Sequence, residues 1–322
     1  MIYSMVDFIH IGYQKTGSAS LKKVYFTEEN NVKLIKPTGG LRIQLFQLIN
    51  NDLKFDVDLF KSFFVKEYGH KIKSYKKDGY VVGISWSPLS GEMYSGNNAS
   101  LICKRLYKIF GKVKILILIR NQLDMIEATY KMYVQTGGVF GIENFLTNKY
   151  INFRHDKLYY YEFIRLYQKT FSNDLVFVFL YEEYKEYPDV FLKSIFNCLG
   201  LTKPPKLSSQ GYVNISPHAY SLILTRIFNF IFNNHRSTSL FGNSIQNIVL
   251  FKRGTKTYSL KMFWRRIIIE RVVDPYIMFK FFSNRRVLSS NHIKVISSIY
   301  KDSNKKTAKL LNIDLQKYNY PY

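Results

Sequence analysis

The chain is poor in acid. Its 322 residues carry 23 Asp and Glu against 47 Lys and Arg, a formal net charge of +24. An excess of that size points to anionic partners, and nucleic acid, anionic lipid and a polyanionic small ligand all fit it. Part of it also reflects a Lys-, Asn-, Ile-, Tyr- and Phe-rich composition of the kind AT-rich genomes encode. Cysteine is scarce too. Cys103 and Cys198 sit in apolar, helical-looking surroundings without CxxC or Cys/His spacing. That speaks against a disulfide framework or a zinc site and leaves two inert, buried thiols. Long apolar runs are missing as well. The stretch from Ser221 to Phe232 is broken by Arg226 and Asn229, and it is short of the ~20 residues that span a bilayer. The first residues lack the basic stretch and apolar run of a secretory signal. The expectation is a soluble, cytoplasmic protein, with peripheral contact at the inner membrane surface left open.

What is present argues for a large folded core: 47% of residues are hydrophobic and 17% aromatic, which excludes a disordered chain. At roughly 150 residues per domain the length allows one or two domains. Neither internal repeats nor a low-complexity linker divides it. Four β-rich runs, Asp7–Ile11, Tyr80–Ser85, Lys114–Ile119 and Leu175–Tyr181, are separated by helical or polar sequence. Helical patterns cover Ser18–Phe26, Gln122–Thr136, Lys157–Phe171 and Pro188–Leu199, with another closing the chain over Asn291–Asn312. Near-continuous apolar strands alternating with helices predict an α/β fold, with a central, mainly parallel sheet flanked by helices in three layers. Residues 1–322 read as a single domain of this P-loop type. A lobe of helices and loops over about 203–322 would contribute to a nucleotide or acceptor site. In such sheets ligands bind at the carboxyl ends of the strands.

The first strand runs directly into a glycine-flanked loop, Gly12-Tyr-Gln-Lys15-Thr16-Gly17-Ser18-Ala19-Ser20. A loop of this kind, delivered by a sheet and followed by a helix start, presents backbone N–H groups to an anion. A Walker A loop starting at Gly12 would place its lysine at residue 18. Here Ser18 occupies that position and the cation is Lys15, which argues against an ordinary ATPase. The Lys-Thr-Gly-Ser-x-Ser order resembles the 5′-phosphosulfate loop of sulfotransferases that use 3′-phosphoadenosine 5′-phosphosulfate (PAPS).

A second segment follows the strand Lys114–Ile119: Arg120-Asn-Gln-Leu-Asp124, then Tyr130. An arginine at a strand's carboxyl end suits bidentate phosphate binding; the competing reading is a surface pair of Arg120 with Asp124. The segment resembles the 3′-phosphate site of the same family, Arg-[Asn/Asp]-Pro-x-Asp with a serine eight positions after the arginine and a tyrosine two further on. Gln122 replaces the proline and Ala128 the serine, so Thr129 is a substitute hydroxyl. Also similar are Tyr181-Glu182 ending a late strand, the helix closing in Leu199-Gly-Leu201, and Asn214-Ile-Ser216, an element of bacterial carbohydrate sulfotransferases. So are the tail segments Tyr300–Asn304 and Leu311–Tyr318. Lys252-Arg253-Gly254 resembles a loop that folds over the 3′-phosphate, a basic surface turn being the alternative. Arg265, Arg266 and Arg271 could line an acceptor groove or form a solvated face.

The resemblance implies a PAPS-dependent transferase needing no metal. In it Gly12, Lys15, Thr16, Gly17, Ser18, Ala19, Ser20, Arg120 and Thr129 would bind the nucleotide, with Lys252, Arg253 and Gly254 covering it. Lys15 would stabilise charge on the departing phosphate. The acceptor, a saccharide or related hydroxyl, needs a general base. The family pattern leads one to expect a glutamate near residue 87, where this chain has Ser87-Pro88. Glu92 and then His10 are the candidates. Two other readings remain: a magnesium-dependent P-loop kinase using ATP, and a basic, aromatic-rich binder of nucleic acid or lipid without enzymatic activity.

Overall fold

The computed structural model describes residues 5–50, 55–147, 153–202, 218–232, 249–253, 256–259, 273, 276–277, 280 and 285–322. They belong to two compact units. One is built from Met1–Gln122, Arg154–Tyr212 and Ser297–Tyr322, the other from Leu123–Phe153 and Val213–Ile296. The described strands are β1 (Phe8–Gly12), β2 (Val32–Leu34), β3 (Val81–Ser85), β4 (Lys114–Ile119), β5 (Val176–Leu180), β6 (Val249–Arg253) and β7 (Lys256–Ser259). The described helices are α1 (Ser18–Ser20), α2 (Gly39–Ile49), α3 (Val57–Lys77), α4 (Ala99–Phe110), α5 (Gln122–Gln135), α6 (Ile142–Thr147), α7 (Tyr160–Phe171), α8 (Tyr181–Glu186), α9 (Pro188–Leu199), α10 (Ala219–Phe232) and α11 (Ser290–Leu311).

In the first unit the five strands form one sheet in the order β2-β3-β1-β4-β5, with every neighbouring pair parallel. Parallel pairing requires a crossover between successive strands, and helices supply it. Strand β4 is buried from Ile115 to Ile119, as its unbroken aliphatic sequence demands of a strand covered on both faces. Alternation sends Leu116 and Leu118 to one face, where they join Phe8, Leu21, Phe26, Phe179 and the α9 side chains Phe191, Leu192, Ile195 and Phe196. Each large apolar side chain buried in this way contributes roughly 1.5–3 kcal/mol relative to leaving it in water. Helix α7 packs on β4 and β5 from the other face, burying Phe163, Ile164, Tyr167 and Phe171.

Local signals explain several boundaries. Asp56 caps α3 by accepting from the backbone N–H groups of Asp58 and Leu59. Pro188 opens α9, and Gly200 closes it in the left-handed region at φ 78°. The expected helix over Ser18–Phe26 is instead one turn of α1 followed by a π-helical turn over Leu21–Tyr25. The wider turn places Leu21, Tyr25 and Phe26 together in the core cluster. Strand β2, absent from the sequence reading, has three residues of which only Val32 is buried. No period can emerge from so short a run.

The second unit contains α6, α10 and an aromatic cluster in which Phe145 lies 5.3 Å from Tyr130, 5.4 Å from Tyr133 and 4.9 Å from Phe153. Strands β6 and β7 pair as an antiparallel hairpin. Among the described residues no helix is long and apolar enough to cross a membrane.

Candidate functional site

Strand β1 is buried along its whole length and releases the chain at Gly12, whose φ of 103° only glycine adopts readily. The next residue anchors the loop. Tyr13 N–H donates to Leu118 O, its ring packs 4.9 Å from that of Phe163, and its hydroxyl donates to Lys157 O at 2.8 Å. Beyond this anchor Lys15 takes a left-handed conformation at φ 67°. Gly17 does likewise at φ 79°, where an added Cβ would meet the rings of Tyr181 and Tyr184 at 3.2 Å. The hydroxyls of Thr16 and Ser18 turn back on the loop, donating to Tyr13 O at 2.6 and 3.5 Å. Ser18 and Ser20 are buried, while Ala19 is exposed. The loop is thus braced from within, with a half-buried Lys15 at its middle.

Arg120 leaves the end of β4, the strand beside β1. Its Nη1 donates to the Lys15 carbonyl at 3.1 Å, and its guanidinium carbon lies 4.8 Å from the centre of the Tyr181 ring. Tyr181 in turn opens α8 at the end of β5. Three adjacent parallel strands therefore bring Lys15, Arg120 and Tyr181 together at their carboxyl ends, where α/β sheets bind ligands. Burial, and then the positive charge of Arg120, lower the Lys15 pKa from its ordinary value. The neighbouring carboxylate, Glu182, is engaged on both oxygens: Asn121 N–H donates to Oε1 and Tyr320 OH to Oε2, each at 2.9 Å. Burial raises its pKa.

Gln122, two residues after Arg120, has a structural use. Its side-chain amide exchanges hydrogen bonds with Asn304, at 2.7 and 3.1 Å, and Asn304 also donates to Pro321 O. Together with Asn121, which donates to Tyr318 O, this ties the C-terminal segment behind the Arg120 turn. Asp124 forms an ion pair with Arg286 at 2.9 Å. In the second unit Thr129 is buried on α5 and its hydroxyl donates to Met125 O, while Tyr130 OH donates to Phe140 O. Lys252 and Arg253 lie on β6. Gly254, Asn214, Ser216, Arg265, Arg266 and Arg271 lie outside the described residues.

The two candidate bases differ sharply. His10 is fully buried in β1, with Nδ1 2.8 Å from Ser85 Oγ. Burial, aided by the charge of Lys22, lowers its pKa to about 3. Glu92 is half-buried, and its Oε2 accepts from Tyr94 N–H, Ser95 N–H and Ser95 OH at 2.6–3.0 Å, a carboxylate folded into its own turn.

Sequence reasoning missed the group linking that turn to the loop. The Lys157 ammonium donates to Gln14 Oε1 at 3.0 Å and to the carbonyls of Glu92 and Met93 at 2.7 Å. Gln14 also donates to Gly91 O and accepts from Ser90 OH. Burial pulls the Lys157 pKa down to about 7, although three acceptors suit the charged form, which has three protons to give. Lys157 and Ser90 also line a cavity of about 360 Å³ with Ser95, Asn97, Arg154 and Glu162. Nothing in the sequence flagged Lys157, because its partners are carbonyls more than sixty residues away.

Cys103 and Cys198 are free thiols, pushed up by burial to about 11 and about 12. Among the described residues no group of three or more His, Cys, Asp or Glu side chains could hold a metal ion.

No family model matches the chain, and a search of curated proteins returns no match. Solved structures similar to it include a sulfotransferase from Alicyclobacillus acidocaldarius, 16% identical over 70% of this chain and 92% of that one, with a TM-score of 0.45. Another is the mouse sulfotransferase SULT7A1 complexed with PAP, 12% identical over 96% of this chain and 89% of that one, with a TM-score of 0.41.

Proposed function

We propose that the chain is a PAPS-dependent sulfotransferase acting on a hydroxyl of a saccharide or related acceptor. The observation that carries this reading is the convergence of two cations. Lys15 and Arg120 meet at the ends of adjacent strands, the guanidinium bonded to the lysine's own carbonyl and its charge, after burial, disfavouring the charged form of Lys15. Two like charges held together in partly desolvated surroundings suit an anion that compensates both. The placement of Lys15 in mid-loop, rather than at residue 18, distinguishes the loop from that of a kinase.

In this reading the nucleotide's 5′ end is held by the Lys15 loop and its 3′-phosphate by Arg120, whose planar fork suits a phosphate. Thr129 and the Lys252–Gly254 segment are the further candidates on the nucleotide, and Tyr181 supplies an aromatic face that fixes the guanidinium. Transfer forms a bond from the acceptor oxygen to sulfur and breaks the bond from sulfur to the bridging phosphate oxygen, releasing 3′-phosphoadenosine 5′-phosphate (PAP). As in phosphoryl transfer, the protein positions the reactants and stabilises charge. Lys15 neutralises the oxygen that acquires negative charge. The acceptor's proton goes to a base, which we assign to Glu92; His10, with a pKa near 3 and no exposed surface, is poorly matched to accept a proton near neutral pH.

The test is transfer of labelled sulfate from PAPS to a panel of glycans by wild type, Lys15→Ala and Glu92→Gln. Losing the charge-stabilising lysine should cost on the order of 10²–10³ in rate with an unchanged melting temperature. Wild-type rates in Lys15→Ala would remove the proposed role of that residue, and no transfer by wild type to any acceptor, with no PAP binding, would overturn the assignment.

A further inference from the structure

Helix α10 is amphipathic in the wrong sense for a helix meeting water. Its polar residues Ser221, Thr225 and Asn229, four apart and hence on one face, are buried at 0%, 5% and 1% exposure. The aliphatic and aromatic residues Ile223, Leu224, Ile227 and Phe230 are exposed at 48%, 42%, 54% and 49%. Besides the burial of Leu222, specific bonds fix the inward orientation. Asn229 Nδ2 donates to Val134 O at 2.7 Å and to Gly138 O at 2.9 Å, and Arg226 Nε donates to Val139 O at 3.1 Å. Those carbonyls follow from the end of α5, where the chain's last helical C=O groups need donors. Asn229 and Arg226 supply such donors, and the price is an apolar stripe turned outward. A contiguous exposed apolar surface of this kind marks an interaction face.

The charge of the chain, +24 in formal net terms, selects the partner. Between residues 219 and 286 the sequence carries twelve lysines and arginines, against Glu270 and Asp274 as its acids. An apolar helical stripe within a strongly basic segment is the chemistry of a helix lying in the plane of an anionic bilayer, its hydrocarbon side chains at the headgroup boundary and its cations drawn to lipid phosphates. A helix of 14 residues is too short to span a bilayer, which needs about 20, but long enough to lie on one. We propose that the exposed face of α10 docks the protein on anionic membrane surfaces. This inference is independent of the transferase reading, since α10 carries no residue assigned to the nucleotide or acceptor.

The experiment is flotation of the full chain with vesicles of phosphatidylcholine alone or with about a third phosphatidylglycerol. Wild type should float with the anionic vesicles, more weakly as salt is raised, and little with the neutral ones. The double substitution Ile227→Asp, Phe230→Asp should lower partitioning more than about tenfold while the melting temperature holds, because both side chains already face solvent. The milder pair Ile223→Ser, Leu224→Ser should give an intermediate loss and guards against a folding artefact. Failure of wild type to float at low salt, or undiminished flotation of a folded Asp variant, would overturn the proposal. So would a concentration-dependent dimer that the same substitutions abolish while flotation is unaffected, which would assign the face to a second copy of the chain.

Discussion

Arg120 engages the Lys15 carbonyl and the Tyr181 ring, so its planarity matters as much as its charge. In Arg120→Lys the charge remains, but the fork, the stacking on Tyr181 and the bond to Lys15 O are lost together. PAP affinity measured by calorimetry should fall by about tenfold or more with the fold intact; wild-type affinity would mean that only net charge counts there. Lys15 and Arg120 could be read from the sequence because each follows an apolar strand in a short, ordered motif. The uses of Gln122 and Glu182 could not, because their partners Asn304 and Tyr320 come from the far end of the chain.

At the level of the element, the loop is only as well placed as the strand that carries it. Gly83 on β3 lies in register with Phe8 on β1, and a Cβ at Gly83 would fall 2.2 Å from the Phe8 ring. Phe8 is fully buried in the core cluster and has nowhere to retreat. Gly83→Ala should therefore destabilise the protein by about 1–3 kcal/mol and, by shifting β1, weaken PAP binding as well; an unchanged urea midpoint would show that Phe8 can repack. The strands β3, β4 and β5 and the helices α5 and α9 were visible as apolar runs bounded by breakers. Strand β2 and the π-helical turn were not, since three residues carry no period and the wide turn is set by what the core admits. The reversed amphipathicity of α10 was equally hidden: its sequence shows an apolar stripe, and only the carbonyls it meets decide which side turns inward.

For the whole molecule, buried titrating groups make stability depend on alkaline pH in two opposed ways. Lys157, at about 7 in the folded state against an ordinary 10.5, holds fewer protons folded than unfolded between those values, so stability rises with pH across that window. Lys15 and Lys22, also lowered by burial, act in the same direction. The thiols of Cys103 and Cys198, raised from 9.0, and the hydroxyls of Tyr13, Tyr160, Tyr167, Tyr300 and Tyr320, raised from 10.0, do the reverse. They keep their protons folded, and stability falls as pH passes about 9 and then about 10. Melting temperatures should therefore climb above pH ~7, peak near 9 and drop beyond it. Lys157→Met should flatten the climb without touching the drop, and should cost roughly 1–3 kcal/mol near neutrality because Gln14 Oε1 and the carbonyls of Glu92 and Met93 each lose one donor. A climb that persists in the variant would place its origin elsewhere. By itself the sequence determined the α/β class and marked out the glycine-flanked loop that carries Lys15 and the arginine that ends β4, because strand hydrophobicity, glycine punctuation and charge are local properties of the chain. Only the tertiary structure decided that Lys15, Arg120 and Tyr181 meet, that Lys157 ties the loop to the Glu92 turn, and that α10 turns its hydrocarbon outward. Each of these depends on backbone groups distant in sequence finding a donor, and no local pattern encodes which donor reaches them.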